Sequence, residues 1–212
     1  MKLYGYWRSS SSWRVRIALN LKGLKYEQAT VHLVRNGGEQ HSDAYQAKNP
    51  LEQVPCLELG DGTILTQSVA IVEYLDELHP TPPLFPGDSL RRARTRELIE
   101  ISNSAIQPMH NLATLLAVEK LGATRPGWAG PHISRGLAAM ERIVARTAKT
   151  FAMGDLPSAA DAVIVPQLYA ARRFEVDLAP FPTLQRVEGN CIAVDAFRLA
   201  HPDQQPDAPK DN

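Results

Sequence analysis

The sequence predicts a small α/β sandwich around a mixed sheet, followed by an all-α domain. Three observations carry this expectation. Over the first eighty residues, short apolar runs alternate with helical patterns in βαβ and then ββα order. A stretch from His79 to Gly87, holding Pro80, Pro82, Pro83 and Pro86, then interrupts the chain, because proline cannot continue a helix. Beyond it nearly every segment has helical spacing. The expected organisation is a first domain at 1–80, a linker at 81–87, a helical domain at 88–201 and a C-terminal tail at 202–212.

Each element has its own signal. Leu3–Trp7 reads as a strand, Trp13–Lys22 as a helix closing at Gly23, and Tyr26–Leu33 as a second strand. The polar stretch from Asn36 to Ala47 suits a short helix. Cys56–Leu59 and Thr63–Leu65 flank Gly60-Asp61-Gly62, whose Asp-Gly pair is a hairpin signal. In Val69–Leu78 the apolar residues recur every three or four positions, as on one face of a helix. The second half reads as helices at Leu90–Leu121, Ile133–Thr147, Ala159–Phe174 and Leu184–Leu199. Ser158-Ala159-Ala160-Asp161 is a capping box, with Asp161 returning to the N-cap amide. From Pro202 onward, the polar, proline-containing tail is expected to be disordered.

Composition narrows the function. Lys+Arg and Asp+Glu are 23 each in 212 residues. No basic field therefore favours nucleic acid or an anionic membrane as a partner. The start of the chain has no long apolar run, so no leader is expected, and no segment approaches membrane-spanning length. Cys56 and Cys191 are the only cysteines. Isolated, they read as buried thiols in a reducing compartment, hence a cytoplasmic protein. Neither they nor the histidines (His32, His41, His79, His110, His132, His201) have ligand spacing, so no metal is expected.

The chemistry points to Arg8-Ser9-Ser10-Ser11-Ser12, where the first strand turns into the first helix. A helix start presents outward N–H groups and the positive end of its dipole, which suits an anion or a thiolate. One serine suffices as an N-cap; four beside an arginine are more than capping needs. The βαβ–ββα order is that of a thioredoxin-like fold, which carries its chemistry at this turn. Cys-x-x-Cys is absent here, so dithiol redox chemistry is excluded. Reactive sulfur, if any, has to come from a ligand.

Ser9 to Leu19 resembles the signature of zeta-class glutathione transferases, which include the maleylacetoacetate and maleylpyruvate isomerases. Further matches run in order along the chain. They are Asn49-Pro50, Gln53-Val54-Pro55, Gln67-Ser68, Ile106-Gln107-Pro108, Gly154-Asp155, Ala160-Asp161, Val165-Pro166-Gln167, Arg173-Phe174 with Val176-Asp177-Leu178, and His201-Pro202. One position departs: the family usually has Ser-Ser-Cys, and here Ser11 stands at the cysteine. Roles needing a protein thiol are therefore not carried over.

The resemblance implies glutathione transferase architecture, glutathione as cofactor, a small anionic dicarbonyl substrate and a homodimer. It implies that Ser9 donates a hydrogen bond to the glutathione sulfur, with Ser10 and Ser11 as further donors or helix caps. It implies a cis Val54-Pro55 bond at which Val54 pairs with the cysteinyl unit, and Gln67-Ser68 at the γ-glutamyl group. Gln40, Gln107 and Asn111 follow as polar contacts. Arg8 and Arg173 are the expected substrate cations, Arg8 also serving catalysis with Ser9 and Ser10. Arg14 and Arg16 read as structural and Arg172 as a solvated face. Tyr4 and Tyr6 are less suited to activate the thiol than the serines. Met109, Leu112, Leu115 and Leu116, at helical spacing, read as core rather than pocket lining.

The implied reaction is glutathione-dependent cis–trans isomerisation by thiolate addition, rotation and elimination. A general or α-haloacid-directed glutathione transferase is the alternative within the fold. A non-catalytic glutathione-binding or adaptor protein is the alternative outside enzymology.

Overall fold

A computed structural model describes residues 1–209; Lys210, Asp211 and Asn212 of the expected tail lie outside the described residues. The described residues form two compact units, Met1–Leu84 with residues 194–209, and Phe85–Ala193.

The first unit holds a four-stranded sheet in the order β2-β1-β3-β4, from β1 (Lys2–Gly5), β2 (Glu27–Thr30), β3 (Cys56–Glu58) and β4 (Ile64–Thr66). β1 runs parallel to β2, with Leu3 opposite Gln28, and antiparallel to β3, with Leu3 opposite Leu57. The β3–β4 hairpin turns at the predicted Gly60-Asp61-Gly62, where Asp61 Oδ1 accepts the Thr63 N–H at 2.9 Å and Gly62 takes φ +85°. α1 (Ser10–Leu21) and α3 (Ser68–Leu78) pack on each other. α1 ends in a Schellman motif: Leu24 N bonds Leu19 O, Gly23 N bonds Asn20 O, and Gly23 takes the required φ of +65°. The polar stretch after β2 becomes two 3₁₀ turns, Arg35–Gly37 and Glu39–His41, and the short α2 (Asp43–Gln46).

Sequence and structure differ at the end of the chain. The expected helix at Leu184–Leu199 is two helices, α9 (Pro182–Ile192) and α10 (Asp195–Ala200), and α10 packs on α1 in the first unit. Residues 202–209, expected to be disordered, are laid against the same unit. Gln205 Nε2 donates to Leu199 O and His201 O, and Asp207 accepts from Trp7 and Gln28. α1 is thereby covered on several sides, which is why Arg14 and Arg16 are buried along with Trp13, Val15, Ile17 and Leu19.

The second unit is helical: α4 (Ser89–Glu100), α5 (Gln107–His110), α6 (Leu112–Lys120), α7 (Arg125–Thr147), α8 (Ala159–Arg173) and α9. The single helix expected at Leu90–Leu121 is broken twice. Pro108 has no N–H to return to the Ser104 carbonyl, and Ile101–Ile106 widens into a π turn in which Gln107 N bonds Ser102 O. Asn111 then leaves helical geometry to cap α6. The predicted capping box of α8 forms: Ser158 N and Oγ donate to Asp161 Oδ2 at 2.8 and 2.7 Å, while Asp161 Oδ1 accepts Ala152 N at 2.8 Å. Ile106, Ile133, Leu137, Met140, Ile164, Leu168 and Leu184 form the core of this unit.

Candidate active site

The turn between β1 and α1 sorts the serines into different tasks. Ser9 N donates to Tyr6 O at 3.0 Å, closing the turn, and Ser9 is the N-cap of α1. Its Oγ accepts the Ser12 N–H at 3.2 Å, so its hydroxyl proton remains to be donated elsewhere. Ser10 is half-buried at the first helical position and Ser11 is buried. Ser12 points inward: its Oγ accepts Tyr6 N at 3.5 Å and would stand 3.0 Å from a Cβ at Gly5, which explains the glycine. Arg8 is exposed, with its guanidinium carbon 5.1 Å from the centre of the Trp7 ring.

The same unit carries further candidate cofactor residues. Val54-Pro55 is cis. Gln67 is held at φ 67°, ψ 111°, a left-handed conformation that costs a side-chain-bearing residue about 1–3 kcal/mol and concentrates at functional sites. Ser68 follows as the first residue of α3, buried, with its Oγ accepting from Arg14 Nη1 at 3.4 Å. Gln40 is buried as well. Its Nε2 donates to Leu33 O at 3.3 Å, but its Oε1 has no hydrogen-bond partner among the described residues. A buried amide oxygen without a partner costs about 1–3 kcal/mol and would accept a hydrogen bond from any donor brought to it. Gly38, at φ +109°, leaves room for that side chain; a Cβ there would fall 2.5 Å from Gln40 Nε2.

In the second unit, Gln107 opens α5 and Asn111 caps α6, its Oδ1 accepting Thr114 N at 2.8 Å. Asn111 thus has a structural task, and its amide NH₂ is left to donate. Arg173 is exposed at the end of α8, with its guanidinium carbon 5.5 Å from the Phe174 ring centre. Sequence reasoning gave no role to His110. It is buried, with Nε2 3.4 Å from Gln167 Oε1 and its ring 5.5 Å from that of Phe174. His110 therefore connects the α5–α6 bend to the Phe174 ring against which Arg173 rests.

Two expectations about bystanders change. Arg172 is not simply solvated: it grips Glu188 of α9 with both terminal nitrogens, at 2.6 and 2.5 Å. Leu116, expected in the core with Leu115, is 46% exposed, whereas Leu115 is buried. Tyr4 donates to Glu58 Oε2 at 2.8 Å and Tyr6 packs edge-on against Trp7 and His32. Burial pushes the Cys56 and Cys191 thiols up from their ordinary range, Asp161 reinforcing the effect at Cys191. Among the described residues, no group of three or more His, Cys, Asp or Glu side chains could hold a metal ion. No described helix is long and apolar enough to cross a membrane.

The glutathione S-transferase N-terminal domain family matches residues 3–83. A probable maleylacetoacetate isomerase 2 from Drosophila melanogaster is 47% identical over 207 residues, spanning 98% of this chain and 90% of that protein. Among solved structures, a bacterial zeta-class maleyl pyruvate isomerase in its holo form superimposes with a TM-score of 0.94 at 43% identity, covering 99% of this chain and 100% of the other. The chain belongs to the zeta-class glutathione S-transferases. A maleylacetoacetate isomerase from Anaeromyxobacter dehalogenans, solved with glutathione in its active site, is 52% identical with a TM-score of 0.89, covering 98% and 97% of the two chains.

Within this zeta-class chain the two buried arginines of α1 have the structural tasks expected of them, and the structure supplies their partners. Arg14 reaches Ser68, and Arg16 donates to the carbonyls of Trp7, Tyr6 and Ala200 at 2.8, 3.4 and 3.0 Å. A clue was present in the sequence. Two arginines on an otherwise apolar helix must each find acceptors to be buried at all.

Proposed function

We propose that this protein is a glutathione-dependent cis–trans isomerase of maleylacetoacetate or maleylpyruvate. The observation that carries the reading is the Ser9 hydroxyl, fixed by Ser12 N–H at the start of α1 with its proton left to donate. The first unit fits glutathione on further grounds. The Gln40 Oε1 would accept a hydrogen bond from a ligand donor, and the start of α3 at Ser68 suits a carboxylate such as the γ-glutamyl group.

When bound, glutathione supplies a nucleophilic thiolate for reversible addition to a conjugated double bond. Ser9 holds a proton toward that sulfur, and the α1 dipole favours the anion over the thiol. Each pKa unit so gained corresponds to about 1.4 kcal/mol. Ser10 and Ser11 supplement Ser9, Val54 offers its backbone to the cysteinyl unit, and Gln67, Gln107 and Asn111 add polar contacts. Arg8 binds a substrate carboxylate and stabilises negative charge developing on the dicarbonyl; Arg173 is a second carboxylate cation.

The decisive assay follows turnover of both maleyl substrates with and without glutathione. Conversion that requires glutathione and leaves its concentration unchanged supports the isomerase. Consumption of glutathione or release of halide from α-haloacids would replace it with a transferase reading. Absence of any turnover, with glutathione still bound, would leave a binding protein. We further propose a cytoplasmic homodimer with the N-terminal domain of one chain against the helical domain of its partner. Two free, buried cysteines are consistent with a reducing compartment. A monomer mass by light scattering at micromolar concentration would overturn the dimer.

A further inference from the structure

Trp7 is the residue that hands the chain from β1 to Arg8 and Ser9, and both polar groups of its backbone are held. Its N–H donates to Asp207 Oδ2 at 2.9 Å, and its carbonyl accepts from Arg16 Nη2 at 2.8 Å. Arg16 Nη1 reaches the Tyr6 carbonyl at 3.4 Å, the same carbonyl that closes the turn by accepting Ser9 N. Arg16 Nε donates to Ala200 O at 3.0 Å, the last residue of α10. Arg16 is only 1% exposed. Gln28 Nε2 steadies the other oxygen of Asp207 at 3.4 Å, and His201 packs edge-on against Trp13 at 5.1 Å. The segment from α10 to Asp207 is thus a strap laid over the turn that carries the candidate chemistry.

We propose that Asp207 is a positioning residue: together with Arg16 it fixes the Trp7 peptide and so sets where Arg8 and Ser9 stand. The inference rests on the reading of Ser9 as the thiol donor. The chain of contacts is short. Asp207 holds Trp7 N, the Trp7 ring lies 5.1 Å beneath the Arg8 guanidinium carbon, and Ser9 N hangs from the carbonyl that Arg16 also holds. The N–H to carboxylate bond is charge-assisted and so stronger than a neutral one. A merely structural tail anchor would affect folding alone; a positioning residue must also affect the thiol.

The test compares full-length wild type, Asp207→Ala and Asp207→Asn. The apparent pKa of the bound glutathione thiol is read from its ultraviolet thiolate absorbance, alongside kcat/KM and Tm. Asp207→Ala is expected to raise the thiol pKa and lower kcat/KM about tenfold. Asp207→Asn, which keeps a neutral acceptor oxygen, should fall between it and wild type. A lower Tm with wild-type thiol titration and kcat/KM in Asp207→Ala would overturn the proposal. Should Asp207→Ala not fold, Asp207→Asn decides alone, and an unshifted thiol pKa overturns it. A wild type that binds glutathione without lowering its thiol pKa would refute the Ser9 reading, and the inference with it.

Discussion

Arg14 and Ser68 stand 54 positions apart in the chain, yet Arg14 Nη1 donates to Ser68 Oγ at 3.4 Å. This bond joins the helix that begins with the serine cluster to the start of α3. Both side chains are buried, Arg14 to 1% exposure and Ser68 to 4%. An arginine is kept in such a place only if its donors find acceptors, because an unpaired buried charge costs several kcal/mol. The guanidinium also lays positive charge beside the α3 N-terminus. Dipole and side chain therefore favour an anion at the same spot.

Replacing Arg14 with Leu should accordingly act on both stability and glutathione binding. Loss of the buried polar contacts is expected to lower Tm, and loss of charge beside Ser68 to raise the KM for glutathione. Ser68→Ala should raise the same KM with a smaller fall in Tm, since it removes one acceptor from a guanidinium that keeps other interactions. Calorimetry combined with glutathione titration separates these effects. An Arg14→Leu variant with reduced Tm but unchanged glutathione KM would show the bond to be purely structural.

The serines of the turn should differ sharply in kinetic weight. Ser9 has a fixed oxygen and a proton to donate, so Ser9→Ala is expected to cost kcat/KM about 1.5–3 kcal/mol, the range for hydrogen bonds to charged groups. Ser11 is buried within the first turn of α1, and Ser11→Ala should cost far less. If Ser11→Ala proved the worse variant, thiol activation would belong to Ser11. If both kept wild-type rates, backbone amides would be the main activator.

Much of this was legible in the sequence because its cues are local. The Asp61-Gly62 turn, the Ser158–Asp161 box and the serine-started α1 each depend on residues within a few positions of one another. What escaped was non-local or came from a single breaker inside a periodic run. Pro108 opens a π turn in a segment whose apolar spacing alone predicts one helix. The residues after Pro202 have the composition of a free tail, yet Asp207 and Gln205 find their partners on Trp7, Gln28 and the end of α10. The strained φ of Gln67 and the orphaned oxygen of Gln40 are invisible until the backbone is in place.

The two cysteines should resist thiol reagents in the native protein. Burial favours the neutral thiol over the charged thiolate, so the pKa of each moves up and the reactive fraction at mildly alkaline pH falls. Tyr45, whose hydroxyl lies 3.2 Å from Cys56 Sγ, further encloses that thiol. Titration with a chromogenic disulfide reagent is expected to find almost no reaction in buffer and two thiols in denaturant. Rapid native reaction of either would contradict its placement, and would reopen a role for a protein thiol that Ser11 otherwise removes.

Arg8 and Arg173 should matter to substrate rather than to folding. Each is exposed, and each has a ring as its packing partner, Trp7 at 5.1 Å and Phe174 at 5.5 Å. At Arg8 a cation over a ring at an exposed site contributes only about 0.5–1 kcal/mol, so its loss should leave Tm near wild type. Methionine keeps much of the apolar stem while removing the forked donors that match a carboxylate. Losing a charge-assisted bond of about 1.5–3 kcal/mol raises the KM for a maleyl substrate roughly tenfold to a hundredfold. Glutathione KM should move little, because the groups proposed to bind it are intact in both variants. The two substitutions therefore give a clean division between substrate and cofactor kinetics. Thermal destabilisation with a normal substrate KM in both would make the arginines structural, and the dianion's charge would then have to be met by other residues.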